Sequence, residues 1–207
     1  EVDREVIRAF PDLRMLWLRD QQVNDDWLRE AVNLPQLRVL DLSSDLKTSS
    51  PANLAILSQS PQLVVLGLSG DWVRDESLAD LRELPRLKSL NIFSARHVTS
   101  DVLPSLKNLH KLELLSILKS PGFTDKGAAG FAALSQLRVL RFIGTPVGDP
   151  TVSVIARLER LEMLDLSGTK VTDEGARELS SLQRLRYLDL SSTRVGDEGV
   201  QSLASLQ

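Results

Sequence analysis

The sequence contains no cysteine, so disulfides, thiolate nucleophiles and cysteine metal sites are excluded and the redox compartment is left open. Aromatic residues make up only 4% of the 207 residues while leucine recurs every few positions, so a core has to be assembled from aliphatic layers rather than from a few large anchors. No apolar run approaches the roughly 18 residues that span a bilayer, and the opening EVDREVIRAFPD lacks the hydrophobic segment of a signal peptide. That leaves localisation unknown. Basic charge is not in excess either: a net charge of -3 and a pI near 5.5 supply no attractive field for a phosphate backbone, and no nucleic-acid partner is expected. What the chain does have is 42% hydrophobic residues, enough to bury a continuous core.

That hydrophobicity is periodic. From Leu161 the chain reads LEMLDLSGTKVTDEGARELSSLQR, and from Leu185 it reads LRYLDLSSTRVGDEGVQSLASLQ, the two agreeing in residue type along nearly all their length. Earlier copies begin at Leu13, Leu37, Leu63, Leu87, Leu112 and Leu137, at spacings of 24 to 26 residues. Each copy opens on LxxLxL or a close variant, as in Leu13, Leu16 and Leu18, or Leu137, Leu140 and Phe142. Alternation over Leu-x-Leu is the period of a strand with one buried face. A polar stretch follows, then a buried turn residue (Val23, Val73, Val98, Phe123, Val147, Val171 or Val195) and a helical pattern. Asp173 and Glu174 with Ala176, Leu179 and Leu182 read as a capped short helix burying one stripe, and Ser50–Pro51 as a cap and first-turn pair. One strand, one turn and one short helix cannot bury their leucines alone. Stacked copies can, each against its neighbours.

This pattern resembles the leucine-rich-repeat family from residue 13 to 207. The variant with Thr145, Thr169 or Thr193 at the ninth position, followed by V-x-D-x-G as at Val171, Asp173 and Gly175, is similar to bacterial repeat proteins, planctomycete ones included. Many members carry asparagine at that ninth position. Here the column is Gln21, Asp45, Asp71, Ala95, Ser120, Thr145, Thr169 and Thr193. Ala95 cannot bond the turn backbone, so irregularity is expected near the fourth repeat. The resemblance implies an α/β fold: a right-handed solenoid, horseshoe or arc, with a parallel β-sheet on the concave face and short helices on the convex face. The expected organisation is a single solenoid domain, 1–207. Residues 1–12 are the helical half of a preceding unit, Ile7, Phe10 and Pro11 aligning with Leu81, Leu84 and Pro85. Both ends read as cut and uncapped, which makes the chain either a piece of something longer or able to self-associate.

In such a fold the residues between the leucines face the concavity, and their columns follow from the repeat. The first row is Met15, Val39, Val65, Ser89, Leu114, Val139, Met163 and Tyr187. The middle row is Trp17, Asp41, Gly67, Asn91, Ser116, Arg141, Asp165 and Asp189. The third is Arg19, Ser43, Ser69, Phe93, Leu118, Ile143, Ser167 and Ser191, small and polar except for three consecutive apolar residues with Leu114 and Val139 just across. Contiguous apolar surface marks interaction sites. Three readings stay open: an interaction surface, a satellite core covered by the longer ascending loops of the fourth and fifth repeats, or a misregister of the row. Asp165 and Asp189 fall on adjacent strands, so their repulsion calls for solvent or a basic partner. Trp17 and Trp72 are further binding candidates, and either fits equally well as packed against neighbouring stems.

Asp25, Asp75, Asp125, Asp149, Asp173 and Asp197 recur at the start of each helical pattern, which suits capping better than a calcium array. His97 and His110 have no metal-ligand spacing, and no nucleophile elbow, phosphate loop or dinucleotide fingerprint occurs. A carboxylate pair such as Asp165 and Asp189 is the sole acid–base candidate. No cofactor or metal is expected. The family resemblance implies a non-enzymatic protein–protein interaction module, with Phe93, Leu118, Ile143, Leu114, Val139, Asn91, Arg141, Trp17, Asp165 and Asp189 as binding residues. Alternatives are the substrate-recognition or targeting part of a larger enzyme or secreted effector, and cell-surface or carbohydrate adhesion.

Overall fold

The computed structural model describes residues 4–18, 24–43 and 53–206. Eight short strands form one parallel sheet in strict chain order: β1 (Met15–Trp17), β2 (Val39–Leu42), β3 (Val65–Ser69), β4 (Ser89–Phe93), β5 (Leu114–Leu118), β6 (Val139–Arg141), β7 (Met163–Asp165) and β8 (Tyr187–Asp189). No residue is skipped in the register from strand to strand. Leu40 pairs with Leu66, Leu66 with Leu90, and so on through Leu115, Leu140 and Leu164 to Leu188. Leu40, Leu66, Leu90, Leu115, Leu140 and Leu164 are fully buried, while Leu16 and Leu188, on the outermost strands, are only half-buried. The gradient follows from the architecture: a repeat buries its leucines against the repeats on either side of it.

The return halves carry the α-helices α1 (Asp25–Val32), α2 (Asp75–Ala79), α3 (Leu103–Leu106), α4 (Asp149–Ile155), α5 (Asp173–Leu179) and α6 (Asp197–Ser202). Several returns are instead tighter 3-10 turns, at Arg4–Ala9, Leu54–Gln59, Asp80–Glu83, Ser100–Val102, Asp125–Ala133 and Leu203–Ser205. In Asp125–Ala133 two glycines remove helix propensity, and a side chain at Gly127 or Gly130 would strike the Ser100 carbonyl or Leu103. In the first of these turns, Arg4–Ala9, Ile7 is buried. Phe10, aligned with the buried Leu84, is 55% exposed, since the described elements leave its outer flank open. Val23 and the Ser50–Pro51 cap pair lie outside the described residues, as do Arg19, Gln21 and Asp45.

One expectation about the core is corrected and one open reading is decided. Three of the five phenylalanines, Phe123, Phe131 and Phe142, meet in one fully buried cluster with ring centroids 5.4–6.1 Å apart, so the aliphatic layers do have an aromatic anchor in the fifth and sixth repeats. Trp72, open between binding and packing, is 5% exposed and belongs to the core. The fourth repeat is also regular despite Ala95. That residue is fully buried, and its N–H donates to the Ser120 hydroxyl (3.3 Å), so the polar group comes from the next repeat. In the later repeats the ninth-position hydroxyls turn inward on their own strand end: Thr145 donates to the Phe142 carbonyl (3.1 Å), Thr169 to Leu166 (2.6 Å) and Thr193 to Leu190 (2.6 Å).

The recurrent aspartates are not caps. Asn24, Thr99, Thr124 and Thr172 cap their helical segments with side-chain oxygens, and each aspartate stands at the first helical position instead. Its carboxylate reaches across to the cap residue of the following repeat. Asp25 accepts from Asn53 N–H (2.7 Å), Asp75 from Thr99 N–H and hydroxyl (2.8 and 2.5 Å), Asp125 from Gly148 N–H (2.8 Å), Asp149 from Thr172 N–H and hydroxyl (2.9 and 2.7 Å), and Asp173 from Gly196 N–H (2.6 Å). Where the fourth repeat lacks the acid, Ser100 bonds Thr124 through both its hydroxyl proton and its lone pair. The carboxylates are staples between repeats. They also explain the glycine of V-x-D-x-G, because a Cβ at Gly175 would collide with Asp149 Oδ1 and one at Gly199 with Asp173 Oδ1.

Asp149→Ala should cost about 1–3 kcal/mol by orphaning the Thr172 donors. Gly175→Ala should cost a similar amount, about 1–3 kcal/mol, through overpacking against the same carboxylate. Because the two changes act on one volume, the double variant should lose clearly less than their sum in urea unfolding followed by circular dichroism. Strictly additive losses would show that the carboxylate is not what excludes a side chain at 175.

Candidate functional site

Between the buried leucines, alternate strand residues point to the opposite face of the sheet, and the unskipped register turns them into rows. Met15, Val39, Val65, Ser89, Leu114, Val139, Met163 and Tyr187 are successive partners, as are Trp17, Asp41, Gly67, Asn91, Ser116, Arg141, Asp165 and Asp189. In the third row Ser69 pairs with Phe93 and Phe93 with Leu118, and Ile143 continues it through the Lys119 N–H bond to its carbonyl (2.8 Å). Phe93, Leu118, Ile143, Leu114 and Val139 are all half-buried and adjacent. Asn91 lies beside them, donating to the Ser89 hydroxyl (3.1 Å). Arg141 stands on the same face of β6, its Nη2 against Met163 Sδ at 3.3 Å.

Trp17 is not part of this group. It is 49% exposed on β1, three strands from β4, which is about 14 Å away at the usual strand spacing.

Asp165 and Asp189 are register partners, as expected, but their repulsion is met from within the fold. Asp165 is 8% exposed and its Oδ1 accepts from the Ser167 N–H (3.0 Å) and hydroxyl (2.7 Å). Asp189 Oδ1 accepts from the Ser191 N–H (2.8 Å). Hydrogen bonds from Ser191, with a smaller contribution from Tyr187, hold the Asp189 carboxyl below the usual aspartate value. The Asp-x-Ser spacing, repeated at Asp41–Ser43, is a local turn bond, and it removes the call for a basic ligand to reconcile the two charges.

Two features of this face escape a reading of the three rows. From the fourth repeat onward the second repeat position alternates in sign, and Lys88–Glu113 (2.8 Å) and Arg138–Glu162 (2.8 Å) pair across strands. The Arg138 guanidinium holds the Glu162 carboxyl below its usual range, and Glu162 in turn raises Arg138. These charges, with Leu114 and Val139, line an open hollow of about 320 Å³. The alternation of Lys88, Glu113, Arg138 and Glu162 at repeat spacing is the signal that would have found it. The second feature is Lys119, whose amine sits 5.3 Å from the Phe93 ring centroid. Nothing in the strand pattern marks it.

The leucine-rich-repeat family model matches residues 161–180 and 182–204, the two copies whose repeat is continued in register by all eight strands. Those two copies are leucine-rich repeats. Among solved structures, an internalin from Listeria monocytogenes is similar over 100% of this chain and 69% of its own, with 21% identity and a TM-score of 0.49. No helix among the described residues of these leucine-rich repeats is long and apolar enough to cross a membrane. His97 and His110 are exposed, and no metal-holding group of side chains occurs among the described residues.

A depressed carboxyl pKa stabilises the fold above its unfolded value and ceases to do so as pH falls through the folded one. Carboxyl NMR titration should therefore place the Asp189 midpoint below that of an ordinary aspartate, and Ser191→Ala should move it upward. An unchanged midpoint in that variant would remove Ser191 as the cause.

Proposed function

We propose that this chain is a protein-interaction module that seats its partner on the open face of the sheet across β4 to β6. The observation that carries the reading is the half-buried apolar row of Phe93, Leu118 and Ile143, with Leu114 and Val139 beside it, the row's position being serine in the second, third, seventh and eighth repeats. Half-burial leaves these side chains with apolar area still to cover, and covering it drives association. Trp17 and Tyr187, the exposed aromatics suggestive of a sugar platform, stand on opposite edges of the sheet, about 34 Å apart by strand spacing. They do not favour adhesion through a shared aromatic site. A general-acid role for the Asp165–Asp189 pair is disfavoured too, since Asp189 is shifted away from the raised pKa such a role needs.

Affinity capture from the native source tests the reading, with the Phe93→Ser and Leu118→Ser double variant as control. The partner should be retained by the natural sequence and lost, by tenfold or more in affinity, from the variant, in keeping with roughly 1–2 kcal/mol per hot-spot side chain. Binding that persists while thermal stability drops would make the row a satellite core instead.

A further inference from the structure

Most charges around this face are closed into pairs by the fold itself: Lys88 with Glu113 (2.8 Å), Arg138 with Glu162 (2.8 Å), and Arg96 with Asp71 (3.7 Å). Two cations that flank the apolar row are not. Arg141 projects from β6 one strand beyond Ser116, and its contact is the Met163 sulfur, with no carboxylate in ion-pair reach among the described residues. Its register neighbour Asp165 is buried and committed to Ser167. Lys119, on the other flank, is exposed and has no carboxylate partner among the described residues.

Lys119 also stands where a side chain is disfavoured. The eighth repeat position has a positive φ in every repeat from the third onward: Gly70 (94°), Ser94 (51°), Lys119 (50°), Gly144 (63°), Gly168 (69°) and Ser192 (57°). Glycine takes this left-handed conformation without penalty and lysine does not. What the lysine adds is a cation laid over Phe93, the first member of the apolar row, where the ring face restrains it from swinging away into solvent.

We propose that the row recognises a partner segment in which an acidic residue adjoins an aliphatic one, the aliphatic side chain seated on Leu118 and Ile143 and the carboxylate meeting Lys119 or Arg141. This rests on the interaction-face reading above and sharpens it. Docking any protein segment here withdraws an ammonium and a guanidinium charge from water. A segment with a neutral or basic residue leaves them buried without a counter-charge, and that penalty gives discrimination as well as attraction.

The test is selection of a phage-displayed library of random 12-residue peptides on the whole 207-residue chain, repeated on Lys119→Gly, Arg141→Gln and the Leu118→Ser/Ile143→Ser double variant. The natural chain should enrich peptides with Asp or Glu next to Leu, Ile, Val or Phe. Lys119→Gly and Arg141→Gln should keep the aliphatic enrichment and lose the acidic one, binding a selected acidic peptide roughly threefold to tenfold more weakly and with a flatter salt dependence. Because glycine relieves the left-handed backbone, the Lys119→Gly chain should melt no earlier than the natural one, which separates lost recognition from unfolding. Aliphatic peptides selected without acidic residues, or acidic enrichment undiminished in both cation variants, would overturn the proposal and leave the interaction face standing. If no peptide is enriched over the Leu118→Ser/Ile143→Ser variant, the face itself fails, and the proposal with it.

Discussion

Every part of this molecule depends on the unskipped parallel register between consecutive strands. A unit of 24 to 26 residues buries its leucines only against the units on either side, so burial, backbone pairing and the polar staples all belong to the step between repeats and none belongs to a repeat alone. The fully buried central leucines and the half-buried ones on β1 and β8 show the same dependence from both directions. The aspartate staples reinforce it. Each ties the first turn of one return segment to the cap of the next, and the glycine two residues after the following aspartate makes room for the carboxylate.

A register this strict has a consequence for the open face. A position that is structural in one repeat is structural in most, and the default of the third outward row is small and polar, with Asp-x-Ser bonds closing the strand ends at Asp41, Asp165 and Asp189. Departures from the default then stand out as local. Phe93, Leu118 and Ile143 depart in apolarity, Lys119 in carrying a long cationic side chain on a left-handed backbone and Arg141 in lacking a counter-charge, and they gather across β4 to β6.

The repeat boundaries, the buried column and the rows were legible in the sequence because a strand has a period of two and a register without slips carries each position straight to its equivalent. The role of the aspartates was not. Asp149 and Thr172 are 23 residues apart, and a carboxylate one residue inside a helix looks like a cap until the true cap, Thr172, is seen bonded to the previous repeat. Trp72 stayed open between binding and packing for a similar reason: a loop residue in sequence can lie under the stack in space, as this one does. The irregularity expected at Ala95 did not occur because the missing hydroxyl is replaced by Ser120 of its neighbour, again an inter-repeat bond.

By itself, then, the sequence determined the repeat, the sheet order and which residues share a row, since these follow from periodicity along one chain. Only the tertiary structure decided that the aspartates join repeats, that Asp165 and Asp189 are already satisfied, that three phenylalanines form one cluster, and that Lys119 leans over Phe93. The staples and the Lys119–Phe93 contact join side chains about one repeat apart, while the aspartate bonds and the aromatic cluster depend on rotamer and packing. Distance in space and the sign of a φ angle leave no mark on the spacing of leucines.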